Sequence, residues 1–328
     1  MGMAEEGNSI RAIVAALAAN LGIALSKFVA FLFTGSSSLL AEAVHSVADT
    51  ANQVLLLVGG RRAQQRASQL HPFGYARFRY FYGFLVTLVI FLVGGVFALY
   101  EGYQKLHDPE PVESPVWAFA VLGISVVLES FSLRTAVHEA QPSRRGAPWL
   151  RFIRTTRSPE LPVVLAEDFG ALTGLTFAFA GITLAVITGD ARWDAVGTLA
   201  IGALLVVISV TLSQRMRSLL IGESADNGTL LQIEAAIERE PLIERMIHLR
   251  TMHLGPDELL IAAKISIRGN ESMAHIAAAI NRAEARVRAE LSYECFIFLE
   301  PDVFDQQLFE DEERPPGSSS REARPAWE

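Results

Sequence analysis

A series of apolar runs, each about as long as a bilayer is thick, limits what this chain can fold into. Phe81 to Tyr100, Phe169 to Gly189 and Ala195 to Gln214 contain no charged residue, and Ser114 to Leu128 is apolar up to Glu129. Ile10 to Thr34 is interrupted only by Arg11 and Lys27, and Leu39 to Gly60 forms a sixth, more polar run. About 20 apolar residues cross the hydrocarbon core as a helix, and only a helix or a closed barrel satisfies its own backbone there. Core helices of a soluble protein are the competing reading, and six such runs within 221 residues argue against it. The expectation is an α-helical membrane protein with six transmembrane helices over residues 1–221.

Charge divides the chain at the same point. Residues 222–328 hold 21 acidic against 11 basic side chains, a net of −10, while residues 1–221 sum to +2. An acidic second half argues against nucleic acid as a partner. Arginine gathers in alternate loops: Arg61, Arg62, Arg66, Arg77 and Arg79 after the second run, Arg144, Arg145, Arg151, Arg154 and Arg157 after the fourth, Arg215 and Arg217 after the sixth. The positive-inside rule then places both termini and the second half in the cytoplasm. The opening Met1 to Ser9 is acidic, so no cleavable secretory leader is expected. A single cysteine, Cys295, leaves no disulfide framework and no cysteine-based zinc site.

Ionisable groups inside a span cost about 2.5–3.5 kcal/mol each at its centre. Run two carries Glu42, His45, Asp49 and Asn52 at steps of three and four, which puts them on one helix face. Run five carries Glu167 and Asp168 with no basic residue nearby. Four such carboxylates cost on the order of 10 kcal/mol unless they face water or a cation. His45 and Asp49, one turn apart, form half of a tetrahedral site for a divalent metal. The other charges have plainer readings. Glu42 lies near the outer end of its run and is taken as hydrated, Lys27 as snorkelling or paired with an acid, and Glu129 and Arg134 as paired or at a helix end. Asn20 and Asn52 serve as interhelical hydrogen-bonding groups. No Walker loop, Ser/His/Asp arrangement or His-Glu-x-x-His motif is present, which argues against an enzyme and against ATP-driven transport.

The run Gly35-Ser-Ser-Ser-Leu-Leu-Ala-Glu-Ala-Val-His45-Ser-Val-Ala-Asp49-Thr resembles the second-span signature of the cation diffusion facilitator family of divalent-metal/proton antiporters. His71-Pro-Phe-Gly74-Tyr-Ala-Arg77 resembles the loop that follows, and Asp194-Ala-Val-Gly-Thr-Leu-Ala-Ile-Gly202 the start of span six. The resemblance runs over about residues 10–305 and implies a homodimer that exports a divalent cation in exchange for protons by alternating access. It implies ligands at His45, Asp49 and Asp168, the last marked by Gly174 six residues on. The family's fourth ligand falls on Val164, which binds no metal. Glu-Asp in span five is similar to the branch related to mitochondrial zinc transporters. Positions 164 and 167 lie about 60° apart around a helix, so Glu167 is the expected substitute ligand or proton carrier. One histidine among carboxylates makes a harder site. Zinc stays first, with iron(II) and manganese close behind and cobalt and cadmium possible; no resident cofactor is expected. His71 lacks the family's accompanying loop ligands, which fall on Ser68 and Tyr75.

Residues 222–305 read as α-β-β-α-β: a helix Leu230 to Arg239, strands Ile247 to Leu254 and Leu259 to Ile267 about Gly255-Pro256, a helix Ser272 to Glu290 and a strand Cys295 to Leu299. That order is a small α+β domain, similar to the family's ferredoxin-like cytoplasmic dimerisation domain. His248, His253 and His275 are scattered and expected in solvent, so a regulatory metal site is expected to be weak or absent. Residues 306–328 have the composition of a disordered tail. A membrane metal sensor that binds without transporting is the rival from a different class, and vesicle uptake separates the two.

Overall fold

The computed structural model describes residues 21–112, 114–144 and 146–303. The chain divides into two compact units, Met1–Ile221 and Gly222–Glu328. The described helices of the first unit are α1 (Leu21–Thr34), α2 (Ser37–Ala63), α3 (Phe78–His107), α4 (Pro115–Arg144), the short α5 (Trp149–Thr155), α6 (Glu160–Thr188) and α7 (Arg192–Ile221). Four of them, α3, α4, α6 and α7, are long and apolar enough to cross a membrane, and α1 is a shorter apolar helix. The start of the first apolar run, residues 10–20, lies outside the described residues. At 27 residues α2 is long enough to span but carries the polar face noted above. The outer surface is apolar: Leu32, Phe33, Phe131 and Ile187 are each at least 65% exposed, as befits helices that face lipid.

The helices overrun the uncharged stretches. Thus α4 continues past Glu129 to Arg144, and α6 begins at Glu160. A 30-residue helix such as α7 is about 45 Å long, against about 30 Å of hydrocarbon. Caps, rather than the first charged residue, mark where a helix ends. Gly189, at φ 74°, closes α6 in the left-handed region. Close approach brings α3 against α7. A Cβ on Gly202 would stand 2.8 Å from the backbone nitrogen of Leu99, and one on Gly102 3.0 Å from that of Leu199. Between Ile90 and Val96 the turns of α3 widen into a π-helix.

The three serines that open α2 have a structural task. Asp194, fully buried in the first turn of α7, accepts from Ser36 Oγ at 2.9 Å, Ser37 N at 2.9 Å and Ser37 Oγ at 3.2 Å. Ser38 Oγ donates to the Asp194 carbonyl at 3.0 Å, and Lys105 donates to the carbonyl of Gly35. A carboxylate at a helix N-terminus is favoured by the helix dipole and satisfies otherwise unpaired backbone N–H groups.

The second unit contains α8 (Asn227–Glu238), β1 (Ile243–His253), β2 (Glu258–Ile267), α9 (Met273–Glu290) and β3 (Glu294–Asp302), in the expected α-β-β-α-β order. The sheet order is β1-β2-β3, with β1 antiparallel and β3 parallel to β2; Ile261 stands opposite Thr251 on one side and Ile297 on the other. Asp226 and Ser272 cap α8 and α9 through side-chain oxygens. Ile233, Ile237, Ile261, Ile265, Ala283 and Val287 fill the core. Glu240, 2% exposed at its side chain, accepts from Arg282 at 2.6 Å and from Arg286. Those hydrogen bonds, led by Arg282, hold its carboxyl below the usual carboxylate range. His253 corrects the solvated expectation: it is 2% exposed, because the ring of Tyr293, just ahead of β3, packs edge-on against it at 5.3 Å. His275 stands in solvent, with Nδ1 3.0 Å from Glu271. The segment read as a tail, 306–328, lies outside the described residues.

Candidate metal site in the helical unit

The polar face of α2 is inward. His45 is 1% exposed, and its Nδ1 stands 3.5 Å from Asp49 Oδ1, too far for a good hydrogen bond. Among the described residues, neither ring nitrogen of His45 nor Oδ1 of Asp49 has a hydrogen-bond partner. Buried polar atoms left in that state cost about 1–3 kcal/mol each. An imidazole nitrogen and a carboxylate oxygen are also the donors that a divalent cation takes. A Cβ on Gly94 would lie 3.9 Å from the same Nδ1. The widened turn of α3 therefore comes against the ring through a residue that has no side chain.

Asp49 faces α6 across a small cavity of about 20 Å³, lined by Ser46 and Asp49 from α2, Glu167 and Asp168 from α6, and Glu129 and Ser132 from α4. That volume holds about one water-sized particle. Val164 lines the same cavity as Glu167, so the longer acid does reach the space beside the position that lacks a ligand. Glu167 is already engaged, since Asn52 Nδ2 donates to its Oε1 at 2.6 Å. Ser132 Oγ lies 3.2 and 3.1 Å from the two carboxylate oxygens of Asp168.

Thus Asp49, Glu167 and Asp168 share one cavity, while His45 adjoins it through Asp49 and does not line it. Among the described residues, no three His, Cys, Asp or Glu side chains converge into a ready ligand set. Two plainer readings are corrected. Glu42 is not hydrated: it is fully buried, with its Oε2 3.1 Å from Lys27 Nζ, which also donates to Ser46 Oγ at 2.8 Å. Glu129 does not pair with Arg134; it faces the acidic cavity. Sequence reasoning missed the α4 contribution. Its signal was available: Glu129 interrupts an uncharged run, and Ser132 follows one turn later on the same face.

Loop residues near the second and third helices pack without an evident metal role. The ring of His71 stands edge-on to Tyr75 at 4.6 Å, and Ser68 Oγ lies 3.1 Å from the Tyr75 hydroxyl.

Residues 13–221 match the family profile of the cation efflux transmembrane domain. The chain is 31% identical over 245 residues to the mouse mitochondrial proton-coupled zinc antiporter SLC30A9, covering 74% of this chain and 43% of that protein. It is 28% identical over 264 residues to metal tolerance protein C4 of Arabidopsis thaliana, covering 80% and 58%. Over 130 residues it is 32% identical to zinc transporter ZitB of Pectobacterium atrosepticum, covering 39% and 40%. The chain therefore spans about half the length, or less, of these relatives.

Proposed function

Because this chain belongs to the cation efflux, or cation diffusion facilitator, family of membrane transporters, we propose that it exports zinc in exchange for protons through His45, Asp49, Glu167 and Asp168. The observation that carries the reading is the buried His45 ring and the neighbouring Asp49 Oδ1, all without hydrogen-bond partners, beside a cavity that α6 lines with two carboxylates. Zinc binds neutral imidazole and ionised carboxylates, so loading releases protons and unloading allows them back. Of these groups, imidazole has the ordinary titration range nearest neutral pH, which suits His45 to carry one of those protons. Alternate exposure of the cavity to the two membrane faces then couples the two fluxes. The zinc assignment draws on the names of the mouse and Pectobacterium relatives.

Purified protein in proteoliposomes tests this. With an acidic lumen, protons leaving should accelerate zinc entry, and a protonophore should abolish the acceleration. Zinc entry indifferent to the gradient removes the antiport. Binding without any flux makes the chain a metal sensor instead.

One observation favours a second cargo. The cavity is lined by carboxylates, and His45 does not line it, a donor balance suited to manganese or iron(II). Competition among zinc, iron(II), manganese, cobalt and cadmium in the same vesicles decides between them. The arginine loops support cytoplasmic termini. Exposed Leu231, Met273 and Phe298 on the small second unit support pairing of two copies there; light scattering on the full chain reads the dimer directly.

A further inference from the structure

We propose that Glu129 on α4 is a further oxygen donor to the transported cation, making the site a three-helix one tilted toward oxygen-seeking divalent ions. The inference rests on the transport reading above and concerns the chemistry of that same site.

Three observations lead to it. First, Glu129 lines the cavity together with Asp49, Glu167 and Asp168. Among the described residues, none of the four pairs with Lys or Arg, and the buried ammonium of Lys27 is held by Glu42 and Ser46. Like charges gathered around one small space disfavour one another, and a cation or bound protons would relieve that. Second, α4 is registered against α6 at this level. Ser132 lies within 3.2 Å of both oxygens of Asp168, and Glu129 is one turn away on the same face. The position of Glu129 at the cavity is therefore fixed by a contact to a proposed ligand. Third, the carboxylates differ in what they have left to give. Asn52 occupies an oxygen of Glu167, and Ser132 occupies Asp168. Asp49 Oδ1 is buried without a hydrogen-bond partner, and Glu129 stands half-buried at the cavity.

An unpartnered nitrogen donor adjoins Asp49 outside the cavity lining: His45, 1% exposed, with Nδ1 3.5 Å from Oδ1. At the cavity itself the buried atom without a hydrogen-bond partner is Asp49 Oδ1, and the His45 ring extends that unsatisfied donor set beyond the lining. The side chains do not yet converge, so loading draws them inward, and the flexible stem of Glu129 lets its carboxylate follow. Each added carboxylate raises both coordination number and hardness. Zinc is content with four donors that include nitrogen, whereas manganese prefers six oxygens. Glu129 therefore contributes more to manganese than to zinc.

The experiment uses the full chain in lipid nanodiscs, titrated with Mn²⁺ alone and with Zn²⁺ alone. Glu129→Gln keeps the shape but removes the charge. It should weaken Mn²⁺ binding by about 10-fold or more, in the range that disturbing a metal site's surroundings produces. Zn²⁺ binding should weaken clearly less, so that the ratio of the two affinities shifts. Damage to the fold would lower both alike, and an unchanged ratio overturns the proposal. Glu129→Asp retains the charge with a shorter reach and should give a smaller shift in the same direction. If the glutamine variant does not fold, that shift decides, and its absence overturns the proposal. A wild-type chain that binds neither ion overturns the transport reading itself.

Discussion

Lys27 and Glu42 are fully buried and 3.1 Å apart, on separate helices. Gly174 explains how the acid fits: a Cβ there would stand 2.5 Å from Glu42 Oε1. A buried pair is held by mutual attraction against a large desolvation cost, so its two halves are not independent. Lys27→Met should lower stability by about 3–5 kcal/mol, because it leaves a lone buried carboxylate. Lys27→Met combined with Glu42→Leu should recover much of the loss. Chemical denaturation in micelles reads both, and equal instability of the single and double variants would contradict the pairing. The presence of charge in these helices was legible in the sequence. Which carboxylate belongs to the cation and which to the lysine was not, because that depends on how α1 crosses α2. Glu42 and Asp49 share a helix face, and each keeps one oxygen without a hydrogen-bond partner, yet Glu42 is paired with Lys27 while Asp49 lines the acidic cavity.

Helix α2 is placed by its ends as well as its face. Asp194 on α7 receives the serines that open α2. Asp194→Asn keeps the shape but replaces charged hydrogen bonds, worth about 1.5–3 kcal/mol each, with weaker neutral ones. The variant should unfold at lower temperature, while zinc affinity, read on the folded protein, should stay near wild type. A selective loss of affinity at unchanged stability would place Asp194 in the cation path instead. The resemblance marked both segments, Gly35 to Thr50 and Asp194 to Gly202, but not that they touch, since only the folded helices bring them together. Apolar runs located the membrane helices because lipid allows few alternatives. The π-helix at Ile90–Val96 left no comparable signal, because its widened turns answer to what packs against α3. In the second unit, period and turn chemistry predicted every described element, with β1 and β3 longer at their ends than the apolar residues implied.

As a whole the molecule joins a lipid-facing unit to an acidic α+β unit with a core of its own. Glu240 ties α8 to α9 through Arg282 and Arg286. Its carboxyl is depressed below the ordinary 4.5, so its contribution to stability is present above that value and lost as pH falls through the folded value. Residues 222–303 expressed alone should melt at a steady temperature between about pH 7 and 5 and lose stability below about 4.5. Glu240→Gln should be less stable at neutral pH and show a shallower acid transition; an unaltered profile would contradict the assignment. For the chain as a transporter, the most direct measurement is zinc entry into proteoliposomes with an acidic lumen, comparing wild type with Asp49→Ala and Asp168→Ala at matched protein content and intact fold. Loss of zinc entry in both variants is the expected result. Undiminished entry in either would contradict a cation site shared by α2 and α6.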